Sequence, residues 1–380
     1  MRVAVLGAGA ALACGDGQGL GGSTSSIPRS VASYDGATAV FTTVPLDTGL
    51  IMGWVPVGNM NPPGHTIPTD HQYIYLKTLL PGGGTTPLYA PGAITIVRVS
   101  RTQYNTGASD YAVTFAPCAE VLGTFGHVSA LEPDLLAEIG AFDQECQTYS
   151  PTPTQTVTMC QSRPREIRRA AGVRIGASAG LDLSPFDNRL SPPRFANPSR
   201  WRTNSDGFDS FHVGAFSDYY AEPMRSWVRS KLGSFDGRTR RTAEPVGGTI
   251  DVDVAGTVQG AWLAPGAPTY PEIPHLTIAP DNVDPTRVAF SMGTARNGVP
   301  AQAYFALPLS GPVTLPRDIT PTSGVVCWEF GYSASDARGL MLVQLTDATT
   351  LRFEPRGGGS RRCTDADAHT LTSASATFVR

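Results

Sequence analysis

Apolar and polar residues alternate over short runs through most of the chain, with turn-forming residues between the runs. A period of two over four to eight residues, bounded by Gly, Pro, Asn or Asp, predicts β-strands. The first runs are Val40-Phe41-Thr42-Thr43-Val44 and Gln72-Tyr73-Ile74-Tyr75-Leu76. Ala93-Ile94-Thr95-Ile96-Val97-Arg98-Val99, residues 111–116 and residues 121–128 continue the series. Residues 133–142 break it, because Leu135, Leu136 and Ile139 share one face at helical spacing. Two short strands around a glycine turn are then predicted at 171–176 and 180–183. Residues 188–241 are rich in Pro, Arg and aromatics and read as a connector with a helix over 222–232. From residue 245 the pattern is purely β, with strands predicted at 249–254, 261–263, 288–292, 303–307, 325–330, 340–345 and 350–354. The fold class expected is mainly β. Its parts are a leader and tether over 1–26, a β domain over 27–187, a connector over 188–244 and a C-terminal β-sandwich or barrel over 245–380.

Composition narrows the function classes. The 380 residues are 41% apolar and 16% charged, enough to bury a core, and 41 Gly with 32 Pro favour short strands and many turns. A net charge of -3 gives no basic footprint for nucleic acid. No apolar run is long enough to cross a bilayer as a helix.

Arg2 followed by an apolar stretch from Val3 to Ala13 reads as the end of an export signal. Ala11-Leu12-Ala13-Cys14-Gly15 resembles a lipobox, in which the cysteine becomes lipidated, although its basic region is short and Ala11 stands where leucine is preferred. The Gly/Ser-rich stretch to Ser26 reads as a tether. The expected location is therefore the bacterial cell envelope, with the chain lipid-anchored through Cys14 or secreted, and membrane contact through the anchor alone. Cys146 and Cys160 flank a Pro/Thr-rich excursion they can staple, and Cys327 can pair with Cys363. That leaves Cys118 as a buried thiol. Sequence does not fix the pairing, but disulfides accord with an oxidising compartment.

The candidate chemistry starts at Gly64-His65-Thr66-Ile67-Pro68-Thr69-Asp70-His71. Two imidazoles and a carboxylate this close suit zinc or proton transfer. The plainer reading makes Asp70 a turn cap and His71 a half-buried strand residue. Asp206, Asp209, His212 and Asp218 match no calcium loop and read as a solvated segment. Asp281-Asn282-Val283-Asp284-Pro285 reads as a turn, and His275 and His369 as incidental. Arg163, Arg165, Arg168 and Arg169 form a basic run whose default is solvent exposure.

Several segments, in order, resemble the lysostaphin-type (LytM-like) zinc peptidases of the cell wall. Pro87-Leu88-Tyr89-Ala90-Pro91 is similar to that family's "VyAP" segment. Phe125-Gly126-His127-Val128 is similar to its aromatic-Gly-His-Leu strand, and residues 171–180 to its "Gq.iG..G" turn. The resemblance spans roughly residues 65–186. It implies a peptidase-like antiparallel β domain of barrel-sandwich hybrid type, with zinc as cofactor and peptidoglycan peptides as substrate. It places His71 at the first metal histidine, Asp182 at the last, and His127 at the histidine that stabilises the oxyanion. The departures fall on the chemistry. Tyr75 stands where the metal aspartate belongs, so His65 or Asp70 is needed as third ligand. Leu181-Asp182-Leu183 replaces "LHF" and removes a catalytic histidine. Two functions follow: a zinc endopeptidase, or an inactive module that uses the same groove to bind wall peptides or to activate a cell-wall hydrolase.

Overall fold

The structure is a computed structural model that describes residues 31, 40–77, 84–152, 155–187, 189–200, 212–307, 313–332 and 336–380. With 44% of residues in strands and 8% in helices, the chain is mainly β, as its alternation predicts. It divides into two compact units, each with its own sheet. The first contains residues 1–55, 71–191 and 206–240; the second contains 56–70, 192–205 and 241–380.

The first unit is built on a ten-stranded antiparallel sheet. Its strands are β1 (Ile51–Val55), β2 (Gln72–Leu76), β3 (Thr86–Tyr89), β4 (Ile94–Tyr104), β5 (Ser109–Cys118), β6 (Val121–Leu131), β7 (Phe142–Thr152), β8 (Gln155–Ser162), β9 (Ile167–Arg169) and β10 (Arg174–Asp187). The spatial order is β1-β2-β10-β6-β5-β4-β8-β7, with β3 added to β10 and β9 to β4. Strand alternation sends Gln72, Ile74 and Leu76 of β2 into the interior and leaves Tyr73 and Tyr75 half-buried on the opposite face. The interior is an aromatic cluster. Phe41 stacks on Phe216 at 4.4 Å, and Phe115 lies 4.7 Å from Phe125. Helix α1 (Pro133–Ile139) buries Leu135 and Ile139; helix α2 (Met224–Arg229) is shorter than the 222–232 expected. At the end of β10 the fully buried Asp187 accepts hydrogen bonds from the Arg189 guanidinium and the Tyr219 hydroxyl. This pairs the carboxylate that burial would otherwise make costly.

The second unit is an eight-stranded antiparallel meander: β11 (Gly260–Trp262), β12 (Leu276–Pro280), β13 (Val288–Met292), β14 (Ala303–Ala306), β15 (Val326–Gly331), β16 (Ala337–Asp347), β17 (Thr350–Gly357) and β18 (Ala376–Val379). Leu263 and Val379 exchange backbone hydrogen bonds of 2.8 Å, joining the last strand to the first and nearly closing a barrel. Inward-facing residues at every second position fill it, including Trp262, Phe290, Trp328, Phe330 and Phe353. Residues 56–70 belong to this unit. Ile67 packs with Ala261 and Leu263, and its N–H donates to Glu272 at 2.8 Å. Thr66 sits where Gly293 has no side chain: a Cβ there would lie 2.2 Å from Thr66 Oγ1 and 2.4 Å from the Ile273 carbonyl oxygen. Gly293→Ala should therefore cost about 1–3 kcal/mol by overpacking. Thermal unfolding checks this, and an unchanged midpoint would mean the loop yields freely.

Several local expectations are corrected. Residues 40–44 form no strand; Phe41 makes one isolated bridge to Tyr220 and contributes its ring to the core. The two short strands expected over 171–183 are one continuous β10, because its bulges absorb the glycines that looked like a turn. Residues 249–254 are irregular, with Asp251 and Asp253 accepting the N–H groups of Arg194 and Ala196. The excursion between Cys146 and Cys160 is the β7–β8 hairpin, and those cysteines are bonded, as are Cys327 and Cys363. Cys118 is disulfide-bonded as well, not a free thiol. Residues 1–30, which carry the export signal and Cys14, lie outside the described residues, as do Asp206 and Asp209.

Candidate functional site

The site lies on the outward face of the first sheet, where β2, β10, β6 and β5 run side by side. Register decides which side chains meet. Asp182 of β10 pairs with Tyr73 of β2 on one side and with Gly126 of β6 on the other. Leu181 and Leu183 point into the core, so Asp182 must point out. Gly126 allows the approach: a Cβ there would come within 3.2 Å of Asp182 Cβ.

His127 is presented by a bulge. Between the pairs Tyr111–Val128 and Val113–Phe125, two residues of β6 (Gly126 and His127) oppose the single Ala112 of β5. On the other side, three residues of β10 separate the partners of Val128 and Gly126. His127 takes a φ of 59°, the left-handed region that non-glycine residues seldom enter. Such backbone persists only where its surroundings hold it. The buried Ser178 does so here, its hydroxyl donating to the His127 carbonyl at 2.7 Å and accepting the Gly180 N–H at 3.2 Å.

The His127 ring lies between two carboxylates. Nδ1 is 2.8 Å from Asp110 Oδ2, and Nε2 is 3.4 Å from Asp182 Oδ2. The hydrogen bond to Asp110 raises the imidazole from 6.5 to about 9; burial opposes the rise and the charges of Asp182 and Asp110 reinforce it. His127 is thus an imidazolium at neutral pH, and its side chain is 64% exposed, within reach of a ligand. His71 approaches the same Asp182 oxygen at 3.6 Å through Nε2. An aromatic row leads away from it: His71 to Tyr73 at 4.7 Å, Tyr73 to Tyr75 at 6.2 Å, and Tyr75 to the exposed Phe235 at 5.8 Å. Tyr73, Tyr75, Asp110, His127 and Asp182 line a cleft of about 480 Å³, together with Tyr104, Ser109, Ser129 and residues 179–181.

The structure therefore brings together His71, His127 and Asp182, and adds Asp110, which the sequence did not single out. His65 and Asp70 fall in the second unit. There His65 exchanges backbone hydrogen bonds with Asn61, and Asp70 is half-buried. Tyr75 lines the cleft, and burial together with the Asp182 charge raises its phenol above 10. It remains uncharged at neutral pH and supplies no anionic ligand. A zinc site needs three protein ligands with an open position. Among the described residues no group of three or more His, Cys, Asp and Glu side chains is arranged to hold a metal ion.

No family model, curated protein or solved structure matches this chain. The likeness to lysostaphin-type peptidases rests on the segments quoted above.

The remaining candidates have structural roles. His275 is buried, its Nδ1 accepting the Ala264 N–H and its Nε2 donating toward the carbonyls of Pro268 and Thr269. Arg165 bonds the Ile139 carbonyl at the end of α1, and Arg169 pairs with Glu138 at 2.7 Å. Asp281 accepts the Asp284 N–H, the turn its sequence suggests. His212 contacts the Leu190 carbonyl, and Asp218 pairs with Arg229 at 3.7 Å.

Proposed function

We propose that the first unit is a peptide-binding module of the bacterial cell envelope, using the cleft at His127 and Asp182 without a hydrolytic zinc. One observation carries this reading. The residues at the two divergent family positions, Tyr75 and Asp182, face one open cleft, yet one is a neutral phenol and the other is shared between two imidazoles. That arrangement offers groups to hold a polar chain, and we read it as binding rather than hydrolytic. The peptidoglycan stem peptide as ligand comes from the order of the family-like segments. Export is supported by the disulfides, which persist in oxidising compartments; secretion would follow.

The test uses the full chain purified at neutral pH. Elemental analysis should find zinc far below one ion per chain. Stem peptides should shift the NMR signals of Tyr73, Tyr75 and His127 without being cleaved. Stoichiometric zinc together with peptide cleavage would restore the enzyme. A cleft silent to every stem peptide would remove the binding role.

A further inference from the structure

The cleft is asymmetric in charge. Among the described residues its lining holds two carboxylates, Asp110 and Asp182, and neither Lys nor Arg. Among the described lining residues the one basic side chain is His127, which lies between those carboxylates. The formal charge of the lining is therefore -1 with the imidazole protonated and -2 with it neutral. Three tyrosines, Tyr73, Tyr75 and Tyr104, line the same space. The face of a phenol ring is electron-rich and attracts a cation within about 6 Å of its centroid. Tyr73 and Tyr75 stand 6.2 Å apart with their planes 37° from parallel, so one small cation can meet both rings. Carboxylates beside aromatic faces attract a cation twice over, by charge and by quadrupole, and repel an anion on both counts.

Resting on the peptide-binding reading above, we propose that this cleft selects the side-chain ammonium of a lysine-type residue in a bound peptide, seated between the tyrosine faces and the Asp110 and Asp182 carboxylates. An ammonium suits the site better than a guanidinium. It is compact and offers three donors without a fixed plane, whereas the planar fork of arginine needs a bidentate carboxylate. Here each carboxylate already has an oxygen facing an imidazole. The aliphatic stem of such a side chain would lie against the apolar edges of the rings.

The experiment titrates three blocked tripeptides, acetyl-Ala-X-Ala-amide with X lysine, norleucine or glutamate, into the full-length protein at neutral pH and low salt. Binding is followed by NMR at the cleft residues. The lysine peptide should bind about tenfold or more tightly than the norleucine peptide, and the glutamate peptide most weakly. Tyr75→Leu should reduce the lysine preference several-fold, while Tyr75→Phe, which keeps the ring, should retain most of it. Equal affinity for lysine and norleucine would overturn the charge selection and leave peptide binding in place, as would preference for glutamate. No response to any of the three would overturn both. A variant that fails to fold is recognised from its spectrum, and the peptide series on the unmodified protein then decides alone.

Discussion

Replacing Phe216 by alanine should destabilise the first unit by about 3–5 kcal/mol, the range for truncating a buried aromatic side chain. Phe216 is fully buried and stacks on Phe41 at 4.4 Å with the planes 18° apart. It also meets Phe115 at 6.5 Å and Phe125 at 5.7 Å, edge-on to the first and tilted to the second. Removing it leaves a cavity whose walls belong to residues 40–44 and to the paired strands β5 and β6, which the sheet holds in place. Against a total of about 5–15 kcal/mol for a domain, the loss is large. Urea denaturation should show a lower midpoint. Phe235→Ala is the control: that ring is 58% exposed, and its loss should fall within about 0.5 kcal/mol. A Phe216→Ala loss below about 1 kcal/mol would show that the cluster repacks. Phe125 lies two residues before His127 on β6, so the variant should also broaden the His127 NMR signal.

Strands were legible where alternation was strict and both neighbours supplied pairing. Residues 288–292 coincide with β13, and the predicted 121–128 lies wholly within the longer β6. The reading failed where composition imitated a strand or a turn. Val40 to Val44 has β-forming residues, but Phe41 is used for its ring and makes a single bridge. Strand β12 went unread because Leu276 to Pro280 is short, ends in proline and follows the Pro-rich 264–274. His71, His127 and Asp182 were legible through the order of the family-like segments, and register then placed His71 and His127 against one oxygen of Asp182. Asp110 was not. It sits at the start of an ordinary strand after a Gly107 turn, and only the bulge at Gly126-His127 aims the imidazole at it. A bulge depends on pairing with two neighbours, which a local pattern does not record. His65 and Asp70 stand within six residues of His71, yet the chain assigns them to the barrel unit.

Asp110→Asn should lower the midpoint of His127 from about 9 toward its ordinary 6.5, because the Asp110 hydrogen bond is the largest contribution to the rise. Asp182→Asn should lower it less, since the 3.4 Å approach of Asp182 acts through charge alone. The sign for stability follows from proton linkage. A histidine whose folded value is raised binds its proton more tightly folded than unfolded, so its contribution is fully present below pH 6.5 while Asp110 is ionised. It fades as the pH rises from 6.5 through about 9. The unmodified protein should therefore exceed Asp110→Asn in stability by the most near pH 6. The two should converge above pH 9, where neither imidazole carries a proton. Solvent around the exposed ring reduces the size of this difference but not its direction. The measurement is a pH titration of the His127 ring proton by NMR, with urea midpoints at pH 6 and pH 9.5. A midpoint that stays near 9 in Asp110→Asn would transfer the role to Asp182. A stability gap that widened at high pH would contradict an imidazolium held by Asp110.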